Sequence, residues 1–565
     1  MTDIYGVLSI GSKALLTQQK GIYVTGNNIA NVNTPGYTRQ RLNMSSDVPV
    51  NTSVGPLGTG VTATGVERVY QRFLGVQINN ETQTRGNWEA QKDMLGRVEM
   101  IFDESGGYGL NQVMSEFWNA WQDLSNNPSG PVERSVLIAK SQIMADSFSK
   151  NYQDLQTVRQ DIDTMIEGSP AEINLLAENI ARLNQKIIQM EAGGNTANDY
   201  RDQRDVQLIE LSDWIDIDSF ENSAGGVTVS VGSGQPLVEG TDAYRLSTRI
   251  NASGNQNMTW VDADNNAVDI TSSINGGKVK GWLDVRDLDI RNYMNRLDTL
   301  AQNLMAEVNT LHASGYGLDG SNGNDYFTGA ASASGVMDSL LTITAEEGGA
   351  GNLSVTVVAG GTAGAETVTT DPITGDIQIA IEDGVSTRTQ IAAALQGHSA
   401  VASVVATIPG NTPWTLGAGS DSVTLNGGAS ALNMQVNPAI VLDERLIAAA
   451  GSFDSVPGDK PGDNGNSIAI ANLKSARILN SNTASFDAYY ESIIGDVGYE
   501  VQQAGAYYGH QSEMVHQLEN YRESISGVSV DEEMVNLVKY QNAYQAAAKL
   551  ITTADEMMQS VLNMI

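Results

Sequence analysis

The 565-residue sequence contains no cysteine. That excludes a disulfide framework, thiolate metal sites and cysteine nucleophiles. Basic residues are scarce as well: 32 Lys and Arg stand against 66 Asp and Glu, a formal net charge of −34. Such a field repels phosphate backbones and anionic lipid headgroups, so neither nucleic acid nor a membrane surface is an expected partner. Aromatic residues make up only 6% of the chain, although a hydrophobic content of 41% is enough for globular cores. Long apolar runs are missing. The uncharged stretch from Thr389 to Ser420 is interrupted by Gln390, Gln396, Pro409, Asn411 and Pro413, which argues against membrane insertion. The opening residues, with Asp3 early, lack the basic-then-apolar pattern of a secretory leader.

The motifs that could carry catalytic or ligand-binding chemistry each lack a required residue or context, and no cofactor or metal is expected. Gly315-Tyr316-Gly317-Leu318-Asp319-Gly320 matches a dinucleotide fingerprint in form, but it follows a helical pattern where a strand is required, so it reads as a glycine-rich loop. Asp262, Asp264 and Asn266 begin like a calcium loop, yet Ala267 stands where Gly is needed and Ser273 where Glu is needed, which leaves a hairpin turn. His510 and His516 are six positions apart and cannot share one helical face, while His312 and His398 stand alone.

What the chain does have is helical ends. A chain of this length calls for roughly three to five domains. Stepping by alternating four and three from Ile4 gives Leu8, Gly11, Leu15, Gln18, Ile22, Thr25, Ile29 and Val32; six of the nine are apolar, where composition gives about four. At the other end the same stepping gives Val530, Met534, Leu537, Gln541, Tyr544, Ala548, Ile551, Asp555, Met558, Leu562 and Ile565, with nine of eleven apolar. A sustained 3.5-residue repeat is a coiled-coil seam. Four glycines (Gly6, Gly11, Gly21, Gly26) weaken the first of these helices, so it needs a partner.

The interior reads as separate blocks, and the fold class is multidomain α+β. Residues 1–80 form the N-terminal coiled-coil helix and a polar extended segment, and 81–216 an elongated helical bundle. Within the bundle, Ser169-Pro170 reads as a cap and first turn opening a new helix. Period-two alternation at Val227, Val229 and Val231 marks a small β domain over 217–280, and a helix with a Gly-rich loop occupies 281–330. Residues 331–440 hold one aromatic (Trp414) and one basic residue (Arg388), and read as an inserted β-rich surface domain. A returning helical segment covers 441–525, and the C-terminal coiled-coil helix 526–565.

By itself, the run Asn27-Asn28-Ile29-Ala30-Asn31-Val32-Asn33-Thr34-Pro35-Gly36-Tyr37 is a helix end running into a polar turn. It also resembles the N-terminal signature of flagellar rod, hook and hook-associated subunits, carried here by Asn28, Ala30, Asn31, Thr34, Pro35, Gly36 and Tyr37. The C-terminal run 526–534, with Tyr540-Gln541-Asn542-Ala543-Tyr544, resembles the matching end of that family. Phe117-Trp118-Asn119-Ala120-Trp121 and Arg201-Asp202-Gln203-Arg204-Asp205 are similar to the hook-associated protein 1 family in particular. The resemblance spans about 1–330 and 440–565 and leaves 331–440 outside it.

The resemblance implies a structural adapter of the bacterial flagellum, joining hook to filament and assembling through its terminal helices. It implies a ring-like homo-oligomer, hook protein on one side, the next hook-associated protein on the other, and a flagellar export chaperone. It also implies type III export to the extracellular hook–filament junction. Two alternatives stand beside this: an exported surface or adhesive protein whose activity lies in 331–440, or another hook or rod subunit.

Overall fold

Both ends of the chain are helical, and they meet. The computed structural model describes residues 2–52, 55–104, 109–251, 254–329, 332–337, 341–348, 354–370, 377–396, 401–406, 414, 420–424, 430–452 and 462–563. Helix α1 (Thr2–Ala30) leads into an antiparallel hairpin of β1 (Gln40–Ser46) and β4 (Val61–Arg68), which encloses the small β2 (Val50–Thr52) and β3 (Gly55–Leu57) pair. The helical bundle follows as α2 (Arg72–Ile101), α3 (Leu110–Asn126), α4 (Pro131–Glu191) and α5 (Asn198–Trp214). Phe117, Trp118 and Trp121 are buried on α3, where Phe117 and Trp121 meet edge to face and Trp118 stacks on Phe486 from the returning chain.

Helix α4 runs unbroken for 61 residues through Pro170. This departs from the reading of Ser169-Pro170 as a helix start, and the reason is local. Proline has no N–H to give the Ile166 carbonyl four residues back. The Ser169 hydroxyl donates to that same carbonyl at 2.9 Å. With the carbonyl satisfied and both halves burying Ile162, Ile166, Ile173 and Ile180, one continuous rod forms.

The β domain has a four-stranded antiparallel sheet of β5 (Ile217–Glu221), β6 (Val227–Val231), β7 (Gln235–Glu239) and β8 (Asp242–Ala243). Beside it lies a three-stranded sheet of β9 (Arg245–Ile250), β10 (Gln256–Val261) and β11 (Ala267–Asp269). The Asp262–Asn266 run is the β10–β11 hairpin turn, with Asp262 Oδ1 accepting from the N–H groups of Asp264 and Asn266. Helix α6 (Gly277–Asp284) passes through a π turn at Val285–Asp289 into α7 (Ile290–Ser314).

The insert hangs on a two-stranded stem. Strand β12 (Phe327–Thr328) leads to β13 (Ser332–Met337), β14 (Leu341–Gly348), β15 (Ser354–Ala359), β16 (Thr367–Thr370), β17 (Ile377–Ile381), α8 (Arg388–Gln396), β18 (Val401–Ala406) and β19 (Ser420–Thr424). The chain comes back through α9 (Ser430–Asn433) to β20 (Gln435–Val436), where Phe327 pairs with Val436. Among the described residues, the insert's buried Val355, Val357, Ile377, Ile379, Ile391 and Leu395 do not join the main core. They fill one of their own, as a separate domain does.

The returning segment contains α10 (Pro438–Leu442), α11 (Gly465–Ala471), α12 (Leu479–Asn482) and α13 (Phe486–Ser526). Phe486, Tyr490, Ile493 and Val497 of α13 complete the core of the bundle. Then comes α14 (Val530–Leu562), capped by the Ser529 hydroxyl.

A polar joint as candidate assembly site

Helices α1 and α14 pair antiparallel. Going up α1, the positions of Gly11, Gly21 and Asn28 face Ile551, Tyr540 and Glu533 in turn, so one number rises as the other falls. A Cβ at Gly11 would lie 2.7 Å from Ile551, and one at Gly21 would lie 2.8 Å from the Tyr540 ring. These two glycines let the helices approach closely. Around them, Leu8, Leu15, Ile22 and Ile29 of α1 are half-buried, as are Leu537, Tyr544, Ile551 and Met558 of α14. Val32, beyond the helix end, is exposed, and so are Val530, Met534 and Leu562. The side chain of Ile4 lies outside the described residues.

Where this pair meets the body, the packing turns polar. Asn28, in the last turn of α1, is buried and uses both N–H donors and both acceptor positions of its amide. Its Nδ2 donates to the Gln40 carbonyl at 2.9 Å and to Glu533 Oε2 at 3.0 Å. Its Oδ1 accepts from the Gln40 N–H at 3.0 Å and from the Tyr37 hydroxyl at 2.8 Å. Burial, and then the charges of Asp199, Asp202 and Glu533, push the Tyr37 pKa up, so the phenol keeps the proton it donates.

The turn between Asn28 and Tyr37 is built from its own side chains. Asn31 Nδ2 donates to the Asn27 carbonyl at 3.0 Å, and Thr34 Oγ1 donates to Asn31 Oδ1 at 3.1 Å. Ala30 closes the helix, and Thr34 and Pro35 are exposed at the tip. Gly36 has φ +76°, and a Cβ there would lie 2.3 Å from Val206 on α5. Both the turn and the seating on α5 therefore require glycine.

Two further ties complete the joint. The Thr38 N–H and hydroxyl donate to Asp202 at 2.9 and 2.7 Å. Arg68 bridges Asp202 and Asp205 at 2.8 and 2.6 Å, with its guanidinium over the Tyr70 ring. On the other side, the Arg39 N–H donates to the Ser526 carbonyl at 2.7 Å, and its guanidinium pairs with Glu532 at 2.6 Å. Three stretches noted separately in the sequence, 27–37, 201–205 and 526–534, thus converge at one place. Thr38, Arg68 and Glu533 were not singled out by periodicity, because isolated polar residues carry no repeat. The arrangement holds elements together and sets up no nucleophile–base pair. Among the described residues, no group of three or more His, Asp and Glu could hold a metal, and no helix is long and apolar enough to cross a membrane.

Comparison with known proteins agrees with this architecture. Residues 95–327 match the model of the flagellar hook-associated protein FlgK helical domain. Residues 8–38 match the flagella basal body rod protein model, and 521–564 the flagellar basal body rod FlgEFG protein C-terminal model. Flagellar hook-associated protein 1 of Bacillus subtilis is 26% identical over 595 aligned positions, covering 100% of this chain and 99% of that protein. Over its full length the chain is similar to flagellar hook-associated protein 1. Its Escherichia coli counterpart is 28% identical, over 96% of this chain and 97% of that one. The solved flagellar hook junction protein FlgK from Burkholderia pseudomallei superposes with a TM-score of 0.65 at 15% identity, over 80% of this chain and 100% of that one, and so shares the fold. These full-length relatives and the three family models make the chain an exported, structural part of the bacterial flagellum with a role at the hook–filament junction, and not an enzyme. The family models fall on α1 with its turn, on the bundle and on α14.

Proposed function

We propose that the paired chain ends are the assembly element, and that the joint fixes their angle to the body, so that copies build a ring between hook protein and the next hook-associated protein. The observation that carries this reading is the α1–α14 pair, which satisfies only part of its own apolar surface. Tyr5, Leu16 and Tyr23 on α1 and Val535, Val538 and Met557 on α14 remain exposed, along with Val530, Met534 and Leu562. Exposed apolar residues in such number on a two-helix pair call for neighbours. On this reading the seam residues serve two purposes: those between α1 and α14 hold the pair, and those outside it meet other subunits. Export would need a chaperone to cover α14 before assembly, and the finished ring would sit at the extracellular hook–filament junction.

The insert plays no part in this reading, because it has its own core and stem. The test is a pair of deletions. Removing 534–565 should abolish assembly of the purified chain while near-ultraviolet circular dichroism shows the body still folded. Replacing 331–429 by a short glycine linker should leave assembly intact. Assembly surviving the loss of α14 would overturn the proposal.

A further inference from the structure

An open groove of about 580 Å3 lies beside the joint, bounded by the 31–37 turn on one side and by α4 and α5 on the other. Its wall carries Arg182 and Lys186, one helical turn apart on the exposed face of α4. Neither has a carboxylate partner among the described residues: Arg182 bonds the Asn179 side chain, and Lys186 lies 5.0 Å above the Tyr200 ring. In a chain with twice as many acids as bases this stands out, since the nearby Arg68, Arg201 and Arg204 are all ion-paired. Of the carboxylates that line the groove, Asp202 is paired with Arg68 and held by Thr38, while Asp199 accepts from the neutral Gln40 amide at 2.6 Å and keeps its charge. The groove therefore presents two cations against one uncompensated carboxylate, which leaves room for a further acidic partner.

We propose that this groove receives the acidic first turn of α14 from a second copy of the chain, with Asp531 set against Arg182 and Lys186. Asp531 opens α14, is exposed, and has no ion partner among the described residues. Groove and acidic turn belong to the same joint, since Tyr37 lines the groove and also feels the Glu533 charge. Copies arranged about a common axis bring joint level with joint. One patch then meets a different patch on the next copy, the head-to-tail contact that closes a ring or extends a helix. Whole chains of charge −34 repel one another, so a local attraction of this kind sets orientation and register more than bulk affinity.

The inference rests on the assembly reading above, and a charge swap separates the two. Wild type, Arg182→Glu/Lys186→Glu, Asp531→Lys and the triple variant are compared by sedimentation of the full chain across salt concentrations. The double variant and Asp531→Lys should each raise the concentration needed for assembly by at least about tenfold, and the triple variant should restore most of it. Full-strength assembly of the double variant, or no recovery in the triple, would overturn this contact and leave the terminal-helix reading standing. A wild-type chain that never self-associates would overturn both. The absence of native cysteine allows an independent check: a chain carrying Lys186→Cys mixed with one carrying Asp531→Cys should form a disulfide-linked pair on oxidation, and neither chain alone should. Absence of the mixed pair under conditions where wild type assembles counts against the contact.

Discussion

Asn28 shows what one side chain can contribute to this molecule. It joins α1 to β1 through Gln40, to its own turn through Tyr37, and to α14 through Glu533, which is 505 positions away. Glu533 is buried, so losing its donor leaves a carboxylate without compensation in a low-dielectric setting. Asn28→Ala should destabilise the docking of α14 by about 2–4 kcal/mol, the cost of leaving the Glu533 carboxylate without its donor and the Tyr37 hydroxyl, which still accepts from Asn27, without its acceptor. Hydrogen exchange of the α14 amides is the direct readout, and unchanged protection would show that Asn28 does not hold the joint. Glu533→Gln keeps an acceptor for Asn28 Nδ2 and should cost no more than about 1 kcal/mol. Sequence pattern marked Asn28 as a turn-favouring residue beside Pro35-Gly36; it could not name Gln40 or Glu533 as its partners.

At the scale of elements, α4 depends on a single hydroxyl to pass a proline. Ser169→Ala would leave the Ile166 carbonyl without its donor in a buried stretch. The expected loss is about 1 kcal/mol of unfolding free energy in urea, and no loss would mean that another group satisfies the carbonyl. Periodicity shows where helices lie but not whether two adjacent ones are joined. Ser169-Pro170 is chemically a good helix start, and only the shared buried face of both halves makes it an interior. The end helices show the same limit. Their 3.5-residue repeat was legible, as was the need for a partner. That Gly11 and Gly21 are the points of closest approach, while Gly6 and Gly26 face open space, depends on the antiparallel register.

Stability of the whole molecule should respond to pH in two opposing ways. His312 is fully buried, its Nδ1 hydrogen-bonded to the Asn324 carbonyl and its Nε2 accepting from the Ala448 N–H, and burial lowers its pKa to about 4. The unfolded chain therefore takes up this proton first. Stability from His312 is complete above its ordinary value of 6.5 and is lost as pH falls from there toward 4, by about 3 kcal/mol in all. Asp289 behaves oppositely. Burial first, then the Glu500 and Asp284 charges, push its pKa up to about 7, so its contribution is complete below the ordinary 3.8 and is lost as pH rises toward 7. His312→Gln should flatten the acid side of a stability–pH curve measured by urea unfolding, and Asp289→Asn should raise stability near pH 8 while changing nothing below pH 4. A curve unchanged by both substitutions would show that neither group couples protonation to folding.

Much of the plan was readable along the chain: helical ends, a helical bundle, period-two strands at 227–231, and a compositionally foreign block at 331–440. Local chemistry determines these, because propensity, periodicity and turn residues act over a few positions at a time. The tertiary structure alone decided where the distant pieces meet. Antiparallel pairing of the ends selects which seam residues face each other and which stay exposed, and the joint draws Asn28, Thr38, Arg68, Asp202 and Glu533 together from four regions of sequence. A buried polar group needs a partner wherever in the chain that partner lies, and no local pattern records that distance.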